Sequence, residues 1–379
     1  MRRTGSTFSI RDRATRPSTL LAFAFTVLLL VALWNAASSF DLAQVGRTIG
    51  GADAPALAAA LAACLGTLVV RGLRWRVLLG TTGIGVSRRA AVEILALSFW
   101  VNVILPAKIG DVYRAWLLKQ NGGSSFGRAV GGVVVERAVD LVTVALLGAL
   151  SALVAFGGSL SPAATALTLI ALALASIGIA VLLLARGSAA RLVARLPLPS
   201  VLAGPIARAF DALKAGSHRG SLVAVAPYTA IIWGLQAARL GAVAAAVGLF
   251  QVDPAPGSLG ISAVIFTALV SAVLSTIPFT PAGIGIVEAG SVGILISIFA
   301  VPAEAAIALT LLDRVIDIGS LMVGGGLLFS VSRFPRGAGA LRVPVVPRGA
   351  AAGVHVLSLQ QLPVVAVGVL QEPELRRLR

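Results

Sequence analysis

Pro106-Ala107-Lys108-Ile109-Gly110-Asp111-Val112 and Pro281-Ala282-Gly283-Ile284-Gly285-Ile286-Val287 are two versions of one stretch, set in apolar sequence. Each precedes a charged segment: Glu136-Arg137-Ala138-Val139-Asp140 follows the first, and Asp313-Arg314-Val315-Ile316-Asp317 follows the second. Order and spacing both recur. Charges kept inside hydrocarbon are costly and are usually used. Two broken-helix elements in corresponding halves of a chain are also how many transporters build a site at the membrane midplane.

The surrounding composition sets the class. Of 379 residues, 58% are hydrophobic and 12% charged, with a mean hydropathy of +0.96. Soluble domains carry about 25% charged residues. The reading is an all-α, polytopic integral membrane protein. A net charge of +16 invites a nucleic-acid partner. Clustering of the basic residues between apolar runs excludes it, because that is how topology signals are laid out. The single Cys64 rules out an intrachain disulfide, and His218 and His355 have no ligand cluster nearby, so no metal or other cofactor is expected.

The spans follow from the apolar runs. Residues 1–19 read as a basic cytoplasmic tail and 20–37 as a first span, either an uncleaved anchor or a signal peptide. Further spans are expected at 54–70, 129–156, 162–185, 221–249 and 303–331, about six in all. Two broken, re-entrant pairs at 90–118 and 259–300 complete a transmembrane domain of 20–331. The basic run 71–76 is taken as a loop outside the membrane. Residues 186–219 are a basic loop or an interfacial helix, and 332–379 a disordered cytoplasmic tail. With both termini cytoplasmic in the plasma (inner) membrane, 25 of the 31 basic residues fall on the cytoplasmic side, a strong positive-inside bias. Three full spans separate the broken elements. That odd number predicts inverted structural repeats, with halves at about 54–185 and 221–331.

The candidate residues sit at the breaks and after them. Lys108, Asp111 and Arg114 recur every three residues beyond Gly110; beside a fresh helix N-terminus they fit an anion site or cations snorkelling to the interface. Asn102 can cap or bind nearby. Pro106 and Gly110 break the first element, and Pro278, Pro281, Gly283 and Gly285 the second. Glu288, read as about two turns into the following helix, can pair with a cation from the other half or exchange a proton. Helical spacing puts Glu136 and Asp140 on one face, with Arg137 able to pair with Asp140; Asp313, Arg314 and Asp317 repeat the arrangement. These charges either clasp the helices together or wall a polar cavity. Glu93, Trp100 and Arg239 are weaker candidates. No nucleophile with its base and no nucleotide loop is present, so an enzyme reading has no catalytic group to name.

Together the four motifs resemble the transmembrane region of the lysylphosphatidylglycerol synthase family, also described as flippase-like. They read Asn102 to Pro106, Gly110, Asp111 and Arg114; Glu136, Arg137 and Asp140; Pro278, Pro281, Gly283, Gly285 and Glu288; and Arg314. The resemblance covers about residues 20–331. It implies translocation of an anionic or phosphate-bearing lipid, phospholipid or polyprenyl phosphate, through a charged midplane cavity. The alternative is a non-transporting membrane partner of glycosyltransferases or cell-envelope lipid enzymes. Full synthases carry a cytosolic aminoacyl-transferase domain after this region. With only residues 332–379 following the last span, the resemblance implies the translocase-like part without that enzyme.

Overall fold

A computed structural model describes residues 17–37, 40–122, 124–156, 162–186, 200–255, 257–277 and 279–337. Pro278, residues 157–161 between the spans expected at 129–156 and 162–185, and the tail from 338 onward lie outside the described residues. The described elements are helical: α1 (Pro17–Ala37), α2 (Leu42–Gly50), α3 (Ala54–Thr81), α4 (Arg88–Ile104), α5 (Ile109–Gly122), α6 (Phe126–Phe156), α7 (Pro162–Arg186), α8 (Ser200–Gly216), α9 (Arg219–Ala246), α10 (Ile261–Leu274), α11 (Ile286–Ser297), α12 (Ala303–Arg314) and α13 (Ser320–Val331). A π turn at Val315–Gly319 joins α12 to α13. Among the described residues, α3, α6 and α9 are long and apolar enough to cross a membrane. The apolar stretches Thr19–Ala32 and Thr168–Leu184 are shorter.

Local chemistry fixes several helix starts. Asp53 accepts from the Ala56 backbone N–H at 2.9 Å to open α3, and Ser87 accepts from Ala90 at 3.2 Å to open α4. Each satisfies a donor that the first helical turn leaves without a partner.

Helices α3 and α9 form the central pair and run antiparallel. The Asp53 N–H donates to the Ala246 carbonyl at one end of the pair. Arg74 reaches Thr229 further along, and Leu78 meets Val225 near the other end. The two helices end alike: just past their last turns, Gly83 and Gly248 both take positive φ (77° and 73°) and turn the chain. Around this pair, α4 packs on α5 and on α13, where Trp100 stacks on Phe329 at 4.6 Å. Helix α10 packs on α6 and α11, with Phe266 and Ile294 meeting Ala152.

One sequence expectation is overturned here. Helix α3 does not stop at Val70 but runs to Thr81. Arg71 and Arg74 are therefore buried within a helix, 8% and 0% exposed, not in an external basic loop. Arg76 points away from them and donates to the Val86 carbonyl at 2.9 Å. The reason is periodicity: Arg71, Arg74, Trp75 and Leu78 share one buried face, with the i, i+3, i+4, i+7 spacing of a helix stripe.

Candidate functional site

The first break lies between α4 and α5. Leu105 is extended, and Ala107 and Lys108 both take left-handed φ values of 60° and 53°. Such conformations cost non-glycine residues of order 1–3 kcal/mol each and persist only where neighbours enforce them. Here Asn102 Oδ1 accepts from the Gly110 N–H at 2.7 Å, and Ser98 Oγ donates to the Gly110 carbonyl at 2.8 Å. Only glycine fits at 110, because a Cβ would land on the Ser98 carbonyl oxygen.

The second break repeats the device with other residues. Ala282, which holds the place of Ala107 in the second stretch, is also left-handed at φ 51°. Gly283 and Gly285 follow at 73° and 88°. Glu288 lies in the first turn of α11, not two turns in. Its Oε2 accepts from the Gly285 N–H at 2.6 Å, since Gly285 is the residue that opens the helix.

The ion pairs recur with the breaks. Arg137 grips Asp111 with two nitrogens, Nη2 at 3.0 Å and Nε at 3.2 Å. Arg314 Nε donates to Glu288 Oε1 at 2.7 Å, so both pairs join residues 26 apart. Glu288 thus pairs within its own half, with Arg314, rather than with a cation of the other half. Arg137 stands 4.0 Å from Asp140, so its main partner is Asp111. Arg74 of α3 holds Asp140 at 2.6 Å and Glu136 at 3.1 Å. Its counterpart on α9, Arg239, holds Asp317 at 2.7 Å and Asp313 at 3.3 Å. Fully buried Arg114 takes the other oxygen of Glu136 at 2.8 Å and lies 3.3 Å from Asp111. Breaking such a buried pair from one side costs about 3–5 kcal/mol.

Residues of both segments meet around a cavity of about 440 Å³. Its wall includes Arg71, Lys108, Asp111, Arg137 and Asp140 from the first segment, and Arg239, Asp313, Arg314 and Asp317 from the second. Trp233, Gln236 and Ser271 also line it. Arg74, Arg114, Asn102, Glu136 and Glu288 lie behind this wall and hold its charges in place. Two wall cations are held loosely. Lys108 makes no ion pair among the described residues, and Arg71 comes no closer than 3.7 Å to Asp140. Arg71 instead lies over the rings of Trp233, at 5.6 Å, and Phe99, at 5.9 Å. Counted with the residues behind the wall, seven cations meet six carboxylates. The surplus positive charge falls in the first segment. Among the described residues no cluster of metal-binding side chains occurs.

Arg71, Arg74, Trp233 and Gln236 were not among the sequence candidates, and Arg239, only a weaker one there, lines the cavity with two carboxylate partners. The apolar helices, paired breaks and buried charge cluster define a polytopic helical membrane protein with a polar interior site. The chain belongs to the family described as the lysylphosphatidylglycerol synthase TM region, whose profile matches residues 19–325. It is 25% identical over 354 residues to "Glycosyltransferase AglD" of Haloferax volcanii, covering 85% of this chain and 56% of that protein. It is also 25% identical over 232 residues to the UPF0104 membrane protein MJ1078 of Methanocaldococcus jannaschii, covering 61% of this chain and 94% of that protein. The chain therefore spans little more than half the length of the first of these relatives.

Proposed function

We propose that the chain translocates an anionic, phosphate-bearing lipid whose headgroup enters the 440 Å³ cavity and rests between Lys108 and Arg71. The observation that carries this reading is the uneven pairing of the wall. Arg137, Arg239 and Arg314 are each committed to a carboxylate, whereas Lys108 and Arg71 have no carboxylate within hydrogen-bonding distance. A phosphodiester carries one negative charge, which matches the single surplus cation. Charge-assisted bonds from an arginine and a lysine are the usual means of holding such a group.

The lipid would be a phospholipid or a polyprenyl phosphate. Passage between the faces would come from inverted repeats of about 54–185 and 221–331. The antiparallel α3 and α9, with buried arginines at matching positions, support that symmetry. Single cysteines at Thr82 and Val247, in a Cys64→Ser background, should then label from opposite faces; labelling from one face excludes inversion.

Liposomes holding the purified chain and headgroup-labelled phosphatidylglycerol test the activity. Wild type should expose inner-leaflet label to an external quencher, and Lys108→Gln and Arg71→Gln should abolish that exposure. Unchanged rates in both variants would overturn the residue assignment. A second reading, a non-transporting membrane partner of a glycosyltransferase, is favoured by the glycosyltransferase name of the Haloferax relative. Wild-type liposomes inert to every lipid offered, with stable co-isolation of such an enzyme, would favour it.

A further inference from the structure

A second cavity lies outside the charged site. It measures about 1140 Å³, more than twice the volume of the first, and runs between α3, α4 and α13. Leu65, Val69 and Leu73 of α3 line it together with Leu321, Gly324 and Leu328 of α13. Its floor is Cys64 and its mouth carries Arg88, Arg89 and Arg333. From Cys64 to Leu73 the helix rises about 14 Å at 1.5 Å per residue. A bilayer's hydrocarbon core is about 30 Å thick, so the groove is about one leaflet deep.

The mouth is chemically unlike the walls. Arg88, Arg89 and Arg333 are exposed, and none of them makes an ion pair among the described residues. The carboxylate that lines this groove among the described residues, Glu93, accepts the Ser332 hydroxyl at 2.7 Å. Unpartnered cations at the end of an apolar trough of leaflet depth complement one kind of molecule: acyl chains with an anionic headgroup on top. We propose that this groove is a binding site for one anionic phospholipid of the leaflet at the face where α3 ends and α4 begins. Its acyl chains lie along α3 and α13, and its phosphate sits on Arg88, Arg89 and Arg333. None of these residues belongs to the cavity proposed above, so the two assignments fail independently.

The purified chain would be titrated in detergent with phosphatidylglycerol or phosphatidylcholine, and retained lipid counted by native mass spectrometry. Wild type should hold phosphatidylglycerol in preference. The Arg88→Gln/Arg89→Gln/Arg333→Gln variant should lose that preference on the order of tenfold. Gly324→Phe, at a position where a Cβ meets no atom within 4 Å, should fill the trough and lower retention of both lipids while the mouth stays intact. If the triple variant fails to fold, Arg333→Gln with Gly324→Phe carries the test. Cys64, the single cysteine of the chain, gives a second reading: phosphatidylglycerol should slow its alkylation by a maleimide severalfold, and should still do so in Lys108→Gln, which separates this groove from the charged cavity whose Asp317 lies 4.0 Å from Cys64 Sγ. Equal retention of both lipids by wild type, or alkylation unchanged by lipid, would overturn the proposal. So would a groove found occupied by a partner protein's helix.

Discussion

Arg314 holds Glu288 at 2.7 Å through Nε and takes the carbonyl of Ala282 at 2.8 Å through Nη2. One guanidinium therefore ties the end of α12 both to the start of α11 and to the left-handed turn that breaks the second element. The Arg137–Asp111 pair does the corresponding work beside the first break. In each segment the helix break and the charge behind it are a single mechanical unit. Any rearrangement of a break must move a salt bridge with it.

That unit predicts strong coupling. Glu288→Gln should destabilise by about 3–5 kcal/mol, because it strands the buried Arg314; Arg314→Gln should cost less, because Glu288 is partly exposed and keeps the Gly285 N–H. The double variant should cost less than the sum, with a coupling in the range of about 0.5–3 kcal/mol. Thermal unfolding in one detergent checks this. Additive effects would mean that the pair is not an energetic unit.

Neighbouring arginines on α3 should behave oppositely. Arg74 is fully buried and makes three close carboxylate contacts, so Arg74→Gln should destabilise by about 3–5 kcal/mol. Arg71, also buried, has no carboxylate closer than the 3.7 Å approach to Asp140 and lies over the rings of Trp233 and Phe99. Its neutralisation strands no closely paired charge, so it should cost less than that of Arg74 yet stop lipid movement. Melting curves and the liposome assay on the same two variants separate a clasp from a binding residue. Equal melting losses would remove that distinction.

How much of this was legible in the sequence differs from residue to residue. The repeat that sets Pro106 against Pro281 is matched in the structure by the left-handed Ala107 and Ala282. That correspondence was readable because glycine, proline and charge stand out against an apolar background. Arg74 was not readable in the same way. In Arg71-Gly-Leu-Arg74-Trp-Arg76 a run of cations looks like a topology signal, and hydropathy alone ends the span there. Burial of Arg74 depends on carboxylates 62 to 66 residues away, which no local pattern reveals. Glu288 was misplaced for a related reason. Its depth in α11 depends on where the helix starts, and that is decided by the backbone of Gly285.

Asn102 supplies a prediction about positioning. Its Oδ1 is the acceptor for the N–H of buried Gly110 at the start of α5, and leaving a buried donor unsatisfied costs about 1–3 kcal/mol. Asn102→Ala should lower stability by that amount. It should also loosen the turn that presents Lys108 to the cavity, so lipid movement should fall although no cation is lost. Asn102→Asp keeps an acceptor in place and should restore stability relative to alanine. An alanine variant with full stability and full transport would show that the turn holds itself.

Two of the break glycines, Gly285 and Gly110, should respond differently to relief of their neighbours. At Gly285 an added Cβ would lie 2.5 Å from Leu29 Cδ2, a flexible side-chain end contributed by α1. At Gly110 it would strike the Ser98 backbone carbonyl, which is held in a helix. Gly285→Ala should therefore be partly rescued by Leu29→Ala. The rescue stays partial because φ 88° remains unfavourable for any side chain. Gly110→Ala should fail with Ser98 replaced by any residue, since the obstructing atom is common to all of them. Yields of monodisperse protein and melting temperatures for these variants decide the matter. Rescue of Gly110→Ala by a change at position 98 would mean that the α4–α5 contact can open, and that the first break is less rigid than its hydrogen bonds imply.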